Sequence, residues 1–161
     1  MGEIKRGFEP FYGKNPQVLI LGSFPSVKSR KVEFYYGNRQ NRFWRTLSEF
    51  FGCEEPVSVE EKKKFLVSNG IALWDVVEEC EIVGSQDSTI KNFKVADIKK
   101  LLQKIDVRII ILNGSKAYDI FSRYFSDIGV PYVQLPSTSP ANTRFSKEKW
   151  FDELSGIFGR N

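Results

Sequence analysis

The sequence predicts an α/β fold, a three-layer α/β/α sandwich with a central four-stranded parallel sheet. Two observations predict it. Four short apolar runs read as buried strands, and segments with helical spacing alternate with them along the chain. The strand-like runs are 18–21, 71–74, 108–112 and 132–134. A chain of 161 residues with 41% hydrophobic content fits one domain, which we place over residues 1–161.

The predicted helices follow from apolar periodicity and from terminal signals. Residues 41–51 carry Phe43, Trp44 and Leu47 at helical spacing, and Gly52 can end that helix. Ser58 with Glu61 three residues later forms a capping box for a helix that runs to Gly70. Further helices are predicted over 95–104, 115–125 and 147–158, and an irregular stretch that contains Gly84, Ser85 and Asp87 precedes the first of them.

The absence of long apolar stretches and of metal-ligand patterns narrows the kinds of function that this protein can have. The charged opening segment has no apolar leader pattern and no apolar stretch reaches the roughly 18 residues that span a bilayer, so we expect a soluble cytoplasmic protein that is not bound to a membrane. Cys53 and Cys80 lack metal-ligand spacing and the chain has no histidine, so we expect no metal and no cofactor.

Positive charge is concentrated near the amino terminus. Residues 1–45 hold nine Lys and Arg against three Asp and Glu, and the remaining residues hold fifteen against seventeen. In the basic segment that follows the first predicted strand, residues 28–45, six Lys and Arg are interleaved with five aromatic residues: Phe34, Tyr35, Tyr36, Phe43 and Trp44. Cations that meet phosphates and rings that stack on bases suit a nucleic-acid partner. A solvated basic loop with its aromatic residues in the core is the alternative.

Polar segments follow each predicted strand. In a parallel sheet these segments meet at one edge, where open α/β sheets bind their ligands. They are residues 22–25, Asp75, residues 113–115 and residues 137–142. This edge is therefore the predicted site.

Several of these segments resemble motifs of the uracil-DNA glycosylase superfamily. Gly22-Ser-Phe-Pro25 together with Asn41-Arg-Phe-Trp44 resembles its first motif region, and Ser137-Thr-Ser-Pro-Ala-Asn142 resembles its second. The run from Tyr35 to Trp44, Leu73-Trp-Asp75 and Gly84-Ser-Gln-Asp-Ser88 is most similar to the hypoxanthine-DNA glycosylase branch. The resemblance extends from about residue 18 to residue 144.

The resemblance implies two catalytic asparagines, Asn41 and Asn142. In the superfamily's best-known branch the first motif supplies an acidic residue that orients water, but Phe24 stands there in this chain, and Ser137 stands where that branch has a histidine. An amide is a poor proton acceptor, so Asn41 would act by orienting water beside a largely formed sugar cation. Capping the helix that follows is a second role open to Asn41.

The resemblance also assigns the base pocket and the DNA contacts. Phe43 corresponds to the aromatic residue that stacks on the flipped base, and Asp75 to a residue that reads the base edge, although helix capping is equally open for Asp75. The predicted pocket comprises Gly22, Ser23, Phe24, Phe43, Asp75 and Ser88. The predicted DNA contacts are Lys28, Ser115, Lys116, Ser137, Ser139, Ala141 and Arg144.

These features together predict a monomeric, monofunctional DNA glycosylase that flips a deaminated base, chiefly hypoxanthine and secondarily uracil, out of DNA. The resemblance supplies no lysine for Schiff-base chemistry. The alternatives are a uracil- or mismatch-specific glycosylase and a noncatalytic protein that binds damaged DNA. A phosphate-ester hydrolase is disfavoured, because the sequence lacks the clustered ligands that a catalytic cation needs.

Overall fold

The computed structural model describes residues 3–159; Met1, Gly2, Arg160 and Asn161, which belong to the predicted domain, lie outside the described residues. A four-stranded parallel sheet is formed by β2 (Val18–Gly22), β3 (Ile71–Asp75), β6 (Ile109–Asn113) and β7 (Tyr132–Leu135), in the order β3-β2-β6-β7. The four strands agree with the four apolar runs, and the predicted α/β class and parallel sheet are confirmed.

The helices are α1 (Val27–Val32), α2 (Phe43–Phe51), α3 (Val59–Asn69), α4 (Ile98–Leu101), α5 (Ser115–Phe125) and α6 (Lys147–Phe158). The capping box is present, because Glu61 N donates to Ser58 Oγ at 3.1 Å and Ser58 N donates to the Glu61 carboxylate at 3.0 Å. Gly52 ends α2 with φ 71°, a value that favours glycine. No helix within residues 3–159 has the length and apolar composition needed to cross a membrane.

Successive side chains along each strand point to opposite faces of the parallel sheet, and helices cover both faces, which gives three layers. Side chains such as Leu19, Leu21 and Leu112 face one apolar cluster, which includes α5. Val18, Ile20 and Ile111 face the other cluster, which includes α2, α3 and α6. Because successive strand residues point to opposite faces, a continuous apolar run is buried on both sides.

A second, smaller sheet has no counterpart among the predicted strands. It is antiparallel, in the order β1-β4-β5, and comprises β1 (Ile4–Arg6), β4 (Val77–Glu81) and β5 (Lys91–Val95). Gly84, Ser85 and Asp87, which were predicted to be irregular, lie in the connection between β4 and β5, but the strands on either side of them were not predicted. These strands mix charged with apolar residues, and charged short strands resemble loops in composition.

The helix expected over 95–104 is also shorter than predicted. Val95 is paired with Val77 in the small sheet, and α4 is a single turn that begins after Asp97. The Asp97 carboxylate accepts from Lys100 N at 3.1 Å, which fixes the start of that turn. A further helix, α1, was not predicted. It lies in the basic segment after β2, and Ser26 is its N-cap residue.

Candidate active site

Gly22 and Asp75 lie side by side at the carboxyl edge of the parallel sheet. They are the last paired residues of β2 and β3. A Cβ atom added to Gly22 would lie 2.7 Å from Asp75 Oδ1 and 3.2 Å from the Tyr36 hydroxyl oxygen. Glycine is therefore required here by close approach, and its missing side chain leaves room for two polar groups to converge.

The Asp75 carboxyl group is buried, with 4% of the residue exposed. Its Oδ2 atom has no hydrogen-bond partner within the described residues. Burial and, to a smaller extent, the nearby Asp87 carboxylate together raise the pKa of Asp75 to about 7. Near neutral pH a substantial fraction of this carboxyl is protonated, so it can both donate and accept a hydrogen bond.

The Tyr36 side chain also approaches Gly22. Its ring is stacked on Phe43, with ring centroids 4.0 Å apart and an interplanar angle of 20°. Its buried hydroxyl makes no hydrogen bond of good geometry within residues 3–159. The pKa of that hydroxyl is raised well above its ordinary value, first by burial and then by Asp75. Tyr36 also has φ 53°, an uncommon conformation for a non-glycine residue that often marks a functional site.

Phe43 is fully buried, so the predicted base-stacking role does not fit its position. Tyr36 covers one of its faces, and Trp44 and Trp150 contact it edge to face. Tyr36 is half-buried, so of the two stacked residues it is the one that retains exposed surface. From the sequence, Tyr36 is one of the aromatic residues suited to base stacking, but no specific role in the pocket is predicted for it. The signal available was a Tyr-Tyr-Gly run that precedes the helix.

Asn41 lies in the loop that enters α2. Its Oδ1 accepts a hydrogen bond from Phe43 N, the first N–H of α2, at 2.9 Å, while the N-cap position itself is occupied by Arg42. Within the described part of the chain, its Nδ2 makes no hydrogen bond, and the residue is half-buried. One oxygen is thus fixed by the helix while the amide N–H groups remain available to a ligand.

Arg42 joins the two motif loops. Its backbone N–H donates to Thr138 O at 3.0 Å, and its guanidinium donates to Ser139 O and, at 2.8 Å, to Asn142 O. The guanidinium also lies 4.5 Å from the centre of the Phe145 ring. These contacts hold the Asn41 loop against residues 138–142, which follow β7, the strand at one edge of the parallel sheet.

The Asn142 side chain is engaged within its own loop. Its Nδ2 donates to Ser137 O at 2.9 Å, and its Oδ1 accepts from Arg144 N at 3.0 Å. The neighbouring Asn113 and the fully buried Thr138 exchange two hydrogen bonds of 3.0 Å. The position of Asn142 therefore favours shaping of the second motif loop over direct contact with a leaving base.

The remaining pocket residues divide between core and rim. Phe24 is 8% exposed and packs in the apolar cluster, with the Arg30 guanidinium 5.6 Å from its ring centre. Ser23 donates to Asp87 Oδ1 at 2.7 Å. Ser88 is exposed in a single 3-10 turn, Asp87–Thr89. Thus Ser23 binds the Asp87 carboxylate, and the Phe24 side chain packs into the core below the loop that follows β2.

The predicted DNA contacts lie around this edge. Exposed members are Lys28, Ser115, Ala141 and Arg144, and half-buried members are Lys116, Ser137 and Ser139. Lys116 lies near enough to Asp87 to lower the pKa of that carboxyl, against the opposing effect of burial. Four of the five aromatic residues in the basic segment are core residues, whereas Lys28, Lys31, Arg39 and Arg45 are exposed. Residues 3–159 contain no group of three His, Cys, Asp or Glu side chains placed to hold a metal ion.

Comparison with known proteins agrees with this architecture. Residues 9–155 match the family described as the uracil DNA glycosylase superfamily. A protein named hypoxanthine DNA glycosylase from Methanosarcina acetivorans is 39% identical over 148 residues, which cover 91% of this chain and 93% of the relative. A protein of the same name from Methanosarcina barkeri is 30% identical over 147 residues, covering 90% and 92%.

The fold comparison gives the same grouping. A solution NMR structure of a candidate uracil DNA glycosylase from Methanosarcina acetivorans superposes with a TM-score of 0.82. It shares 38% sequence identity, and the match covers 97% of each chain. The similarity therefore includes the complete parallel sheet and the loops at its carboxyl edge.

Proposed function

Because this chain belongs to the uracil DNA glycosylase superfamily, we propose that it is a monofunctional DNA glycosylase that excises a flipped deaminated base. The chief substrate is hypoxanthine in deoxyinosine, and uracil is a second substrate. The relatives named hypoxanthine DNA glycosylase support this choice. The partner is DNA that contains the deaminated base, and the protein works as a cytoplasmic, single-domain monomer without a cofactor.

One observation carries the proposal. Asp75 Oδ2 is a buried polar atom without a hydrogen-bond partner within residues 3–159, and the buried Tyr36 hydroxyl has the Asn113 side chain nearby but no well-formed hydrogen bond there. The Asp75 carboxyl, through Oδ1, and the Tyr36 hydroxyl both approach Gly22. An unpaired buried polar group costs about 1–3 kcal/mol, so such groups are rare unless a ligand satisfies them. A flipped base brings hydrogen-bonding edges into this space, whereas an apolar ligand would leave both atoms unpaired.

The chemistry of the base fits the two groups. Hypoxanthine presents an N1–H donor beside its O6 acceptor. A neutral Asp75 carboxyl offers the complementary acceptor and donor, and its elevated pKa keeps much of it neutral near pH 7. Uracil has the same N–H and carbonyl arrangement on its smaller ring, which supports it as the second substrate. We assign base stacking to Tyr36, the half-buried residue of the stacked Tyr36–Phe43 pair.

Bond cleavage then proceeds through a cationic sugar. The C1′–N9 bond breaks, its electron pair leaves with the base, and water attacks C1′. A hydrogen bond from neutral Asp75 to O6 strengthens as negative charge develops on the departing base. Asn41 directs its unused amide N–H groups toward the reacting centre and fixes the geometry there, while its oxygen stays bonded to Phe43 N.

The second motif loop positions the substrate strand. Its backbone is tied to Asn41 through Arg42, and its exposed end carries Ala141 and Arg144. Lys28, Ser115, Lys116, Ser137 and Ser139 surround the same edge and contact phosphates. The phosphate contacts fix the register of the strand, and the base pocket then selects the damaged nucleotide. Lys116 carries no Schiff-base role in this scheme.

The test is single-turnover base release at enzyme excess, from duplexes that carry deoxyinosine, deoxyuridine or deoxyadenosine at one position. We expect free hypoxanthine, slower release of uracil, and no release of adenine. The DNA strand should break only after alkaline treatment, since no lyase step occurs. Faster release of uracil would favour the uracil-specific alternative. Tight binding of the inosine duplex without release of any base would identify a noncatalytic damage-binding protein.

A further inference from the structure

The segment Gly84 to Ser88 is docked on the loop that follows β2. Asp87 Oδ1 accepts from Ser23 Oγ at 2.7 Å, and Ser85 Oγ accepts from Val27 N at 2.8 Å. Arg30 Nη2 donates to Gly84 O at 2.8 Å. Three separate bonds thus bring a carboxylate from the small sheet to the residue that precedes Phe24, at the edge where the base is cleaved.

Asp87 is the exposed member of a pair of carboxyl groups. Its partner, Asp75, is buried and has an unpaired Oδ2, whereas Asp87 is exposed as a whole residue, with its carboxyl partly enclosed and hydrogen-bonded to Ser23. Two neighbouring carboxyl groups in different surroundings take different protonation states, which is how enzyme sites separate an acid from a base. The more exposed member is the one in contact with solvent, which supplies the attacking water.

We infer that Asp87 is the carboxylate that activates the attacking water, taking the place of the acidic residue that Phe24 replaces in the first motif. The inference rests on the proposed glycosylase function. Asp87 is supplied by a different element of the fold, and Ser23 holds one of its oxygens at a fixed position. Within residues 3–159, no hydrogen bond engages its second oxygen, which remains available to water.

The step balances as a hydrolysis. The water oxygen bonds to C1′ as the C1′–N9 bond breaks, and the departing base takes the electron pair of that bond. The Asp87 carboxylate accepts one proton from the water and becomes a neutral acid. The C1′ hydroxyl of the abasic site retains the other hydrogen. The base anion gains a proton from solvent, and Asp87 returns its proton to solvent, which regenerates the enzyme.

The charges around Asp87 are compatible with this role. Burial raises its pKa, while the Ser23 hydrogen bond and the positive charge of Lys116 lower it. The titratable and charged groups that interact electrostatically with it from the surrounding elements are Asp75, Tyr36, Cys80 and Lys116. The carboxylate of Asp87 also stabilises the developing sugar cation, since the two charges are opposite.

The experiment compares the parent protein with Asp87→Asn and Asp87→Ala in single-turnover release of hypoxanthine. Asparagine retains an oxygen that accepts from Ser23, so Asp87→Asn keeps the loop docked and removes only the base. The control is Asp127→Asn, an exposed aspartate on a different surface loop. Thermal unfolding and binding of the inosine duplex are measured for each variant.

We expect Asp87→Asn to slow release by at least about 100-fold with duplex binding unchanged. Added formate should restore part of the rate in Asp87→Ala, because a small carboxylate can occupy the vacated space. On the acid side of the profile the parent rate should rise with pH as Asp87 loses its proton, before it falls as Asp75 ionises near pH 7. The acid-side rise should be absent from Asp87→Asn.

Two results would overturn the inference. One is release by Asp87→Asn within about threefold of the parent rate. The other is a slow variant that keeps the parental pH profile and is not rescued by formate, since that pattern indicates a positioning role alone. If the parent protein itself releases no base, the proposed function fails, and this inference fails with it; base release by the parent separates the two cases.

Discussion

The Tyr36 ring lies on the Phe43 ring at 4.0 Å and ends with its hydroxyl beside Gly22. Because Tyr36 covers Phe43, the aromatic residue nearest to the site belongs to the loop before α2 and not to α2 itself. Phe43 becomes the buried support, and Tyr36 becomes the surface that a base can contact.

Replacing Tyr36 tests that arrangement. We predict that Tyr36→Leu weakens binding of the inosine duplex by about 1–3 kcal/mol, because the base loses its stacking surface. Tyr36→Phe keeps the ring and removes a buried hydroxyl without a partner, so its free energy of unfolding should equal or exceed that of the parent. Tyr124→Leu, at an exposed aromatic residue on α5, is the control. Equal duplex affinity for Tyr36→Leu and Tyr124→Leu would exclude the stacking role.

Two glycines provide a matched pair for a stability test. A methyl group at Gly22 would overlap the Asp75 carboxyl, and we predict that Gly22→Ala lowers the free energy of unfolding by about 1–3 kcal/mol. Gly156 lies exposed within α6, where a Cβ atom would meet nothing within 4 Å. Gly156→Ala should therefore raise stability by about 0.5–1 kcal/mol. Chemical denaturation of both variants measures the difference, and a Gly22→Ala protein as stable as the parent would contradict the close approach.

The Asp75 carboxyl should make stability depend on pH. Its folded-state pKa of about 7 lies above the ordinary value of 3.8. Between those values the unfolded chain loses this proton while the folded chain keeps it, so the contribution of Asp75 to stability declines as pH rises and levels off above pH 7. Asp75→Asn removes this decline.

The measurement is the free energy of unfolding of Asp75→Asn and of the parent at pH 4 and at pH 8. We predict that, between pH 4 and pH 8, the free energy of unfolding of Asp75→Asn increases relative to that of the parent by up to about 4 kcal/mol. Asp127→Asn, at an exposed aspartate, should show the same difference from the parent at both pH values. A parent–variant difference for Asp75→Asn that does not change with pH would show that Asp75 is not held in its neutral form.

Arg42 should contribute to stability through geometry as well as charge. We predict that Arg42→Lys lowers the free energy of unfolding by about 1–3 kcal/mol, because an ammonium group cannot reach the carbonyls of Ser139 and Asn142 together. Arg45→Lys, three residues later and exposed, should change it by less than about 0.5 kcal/mol. Similar values for both variants would mean that Arg42 does not join the two loops.

The parallel sheet could be predicted because its strands are buried on both faces, which leaves an unbroken apolar run in the sequence. The small sheet could not, since Val77 to Glu81 and Lys91 to Val95 carry charges that a solvent-facing loop would also carry. Its strands are recognisable only through their pairing with each other.

The site was predicted in part for similar reasons. Gly22 and Asp75 follow from strand ends, because parallel strands bring their carboxyl ends to one edge. The positions of Tyr36 and Asp87 depend on long-range contacts, namely the stack on Phe43 and the bond to Ser23. Asn142 was assigned by motif position, but its hydrogen bonds within the loop become visible only in three dimensions.

The central claim is tested most directly at Asn41. The measurement is single-turnover release of hypoxanthine from an inosine duplex by the parent and by Asn41→Ser, with duplex affinity determined in parallel. Serine can still accept from Phe43 N, so the substitution removes the amide and spares the helix.

We predict release by the parent and a loss of about 100- to 1,000-fold in Asn41→Ser, with affinity unchanged. Release by Asn41→Ser at the parental rate would contradict the assignment of Asn41 to the reacting centre.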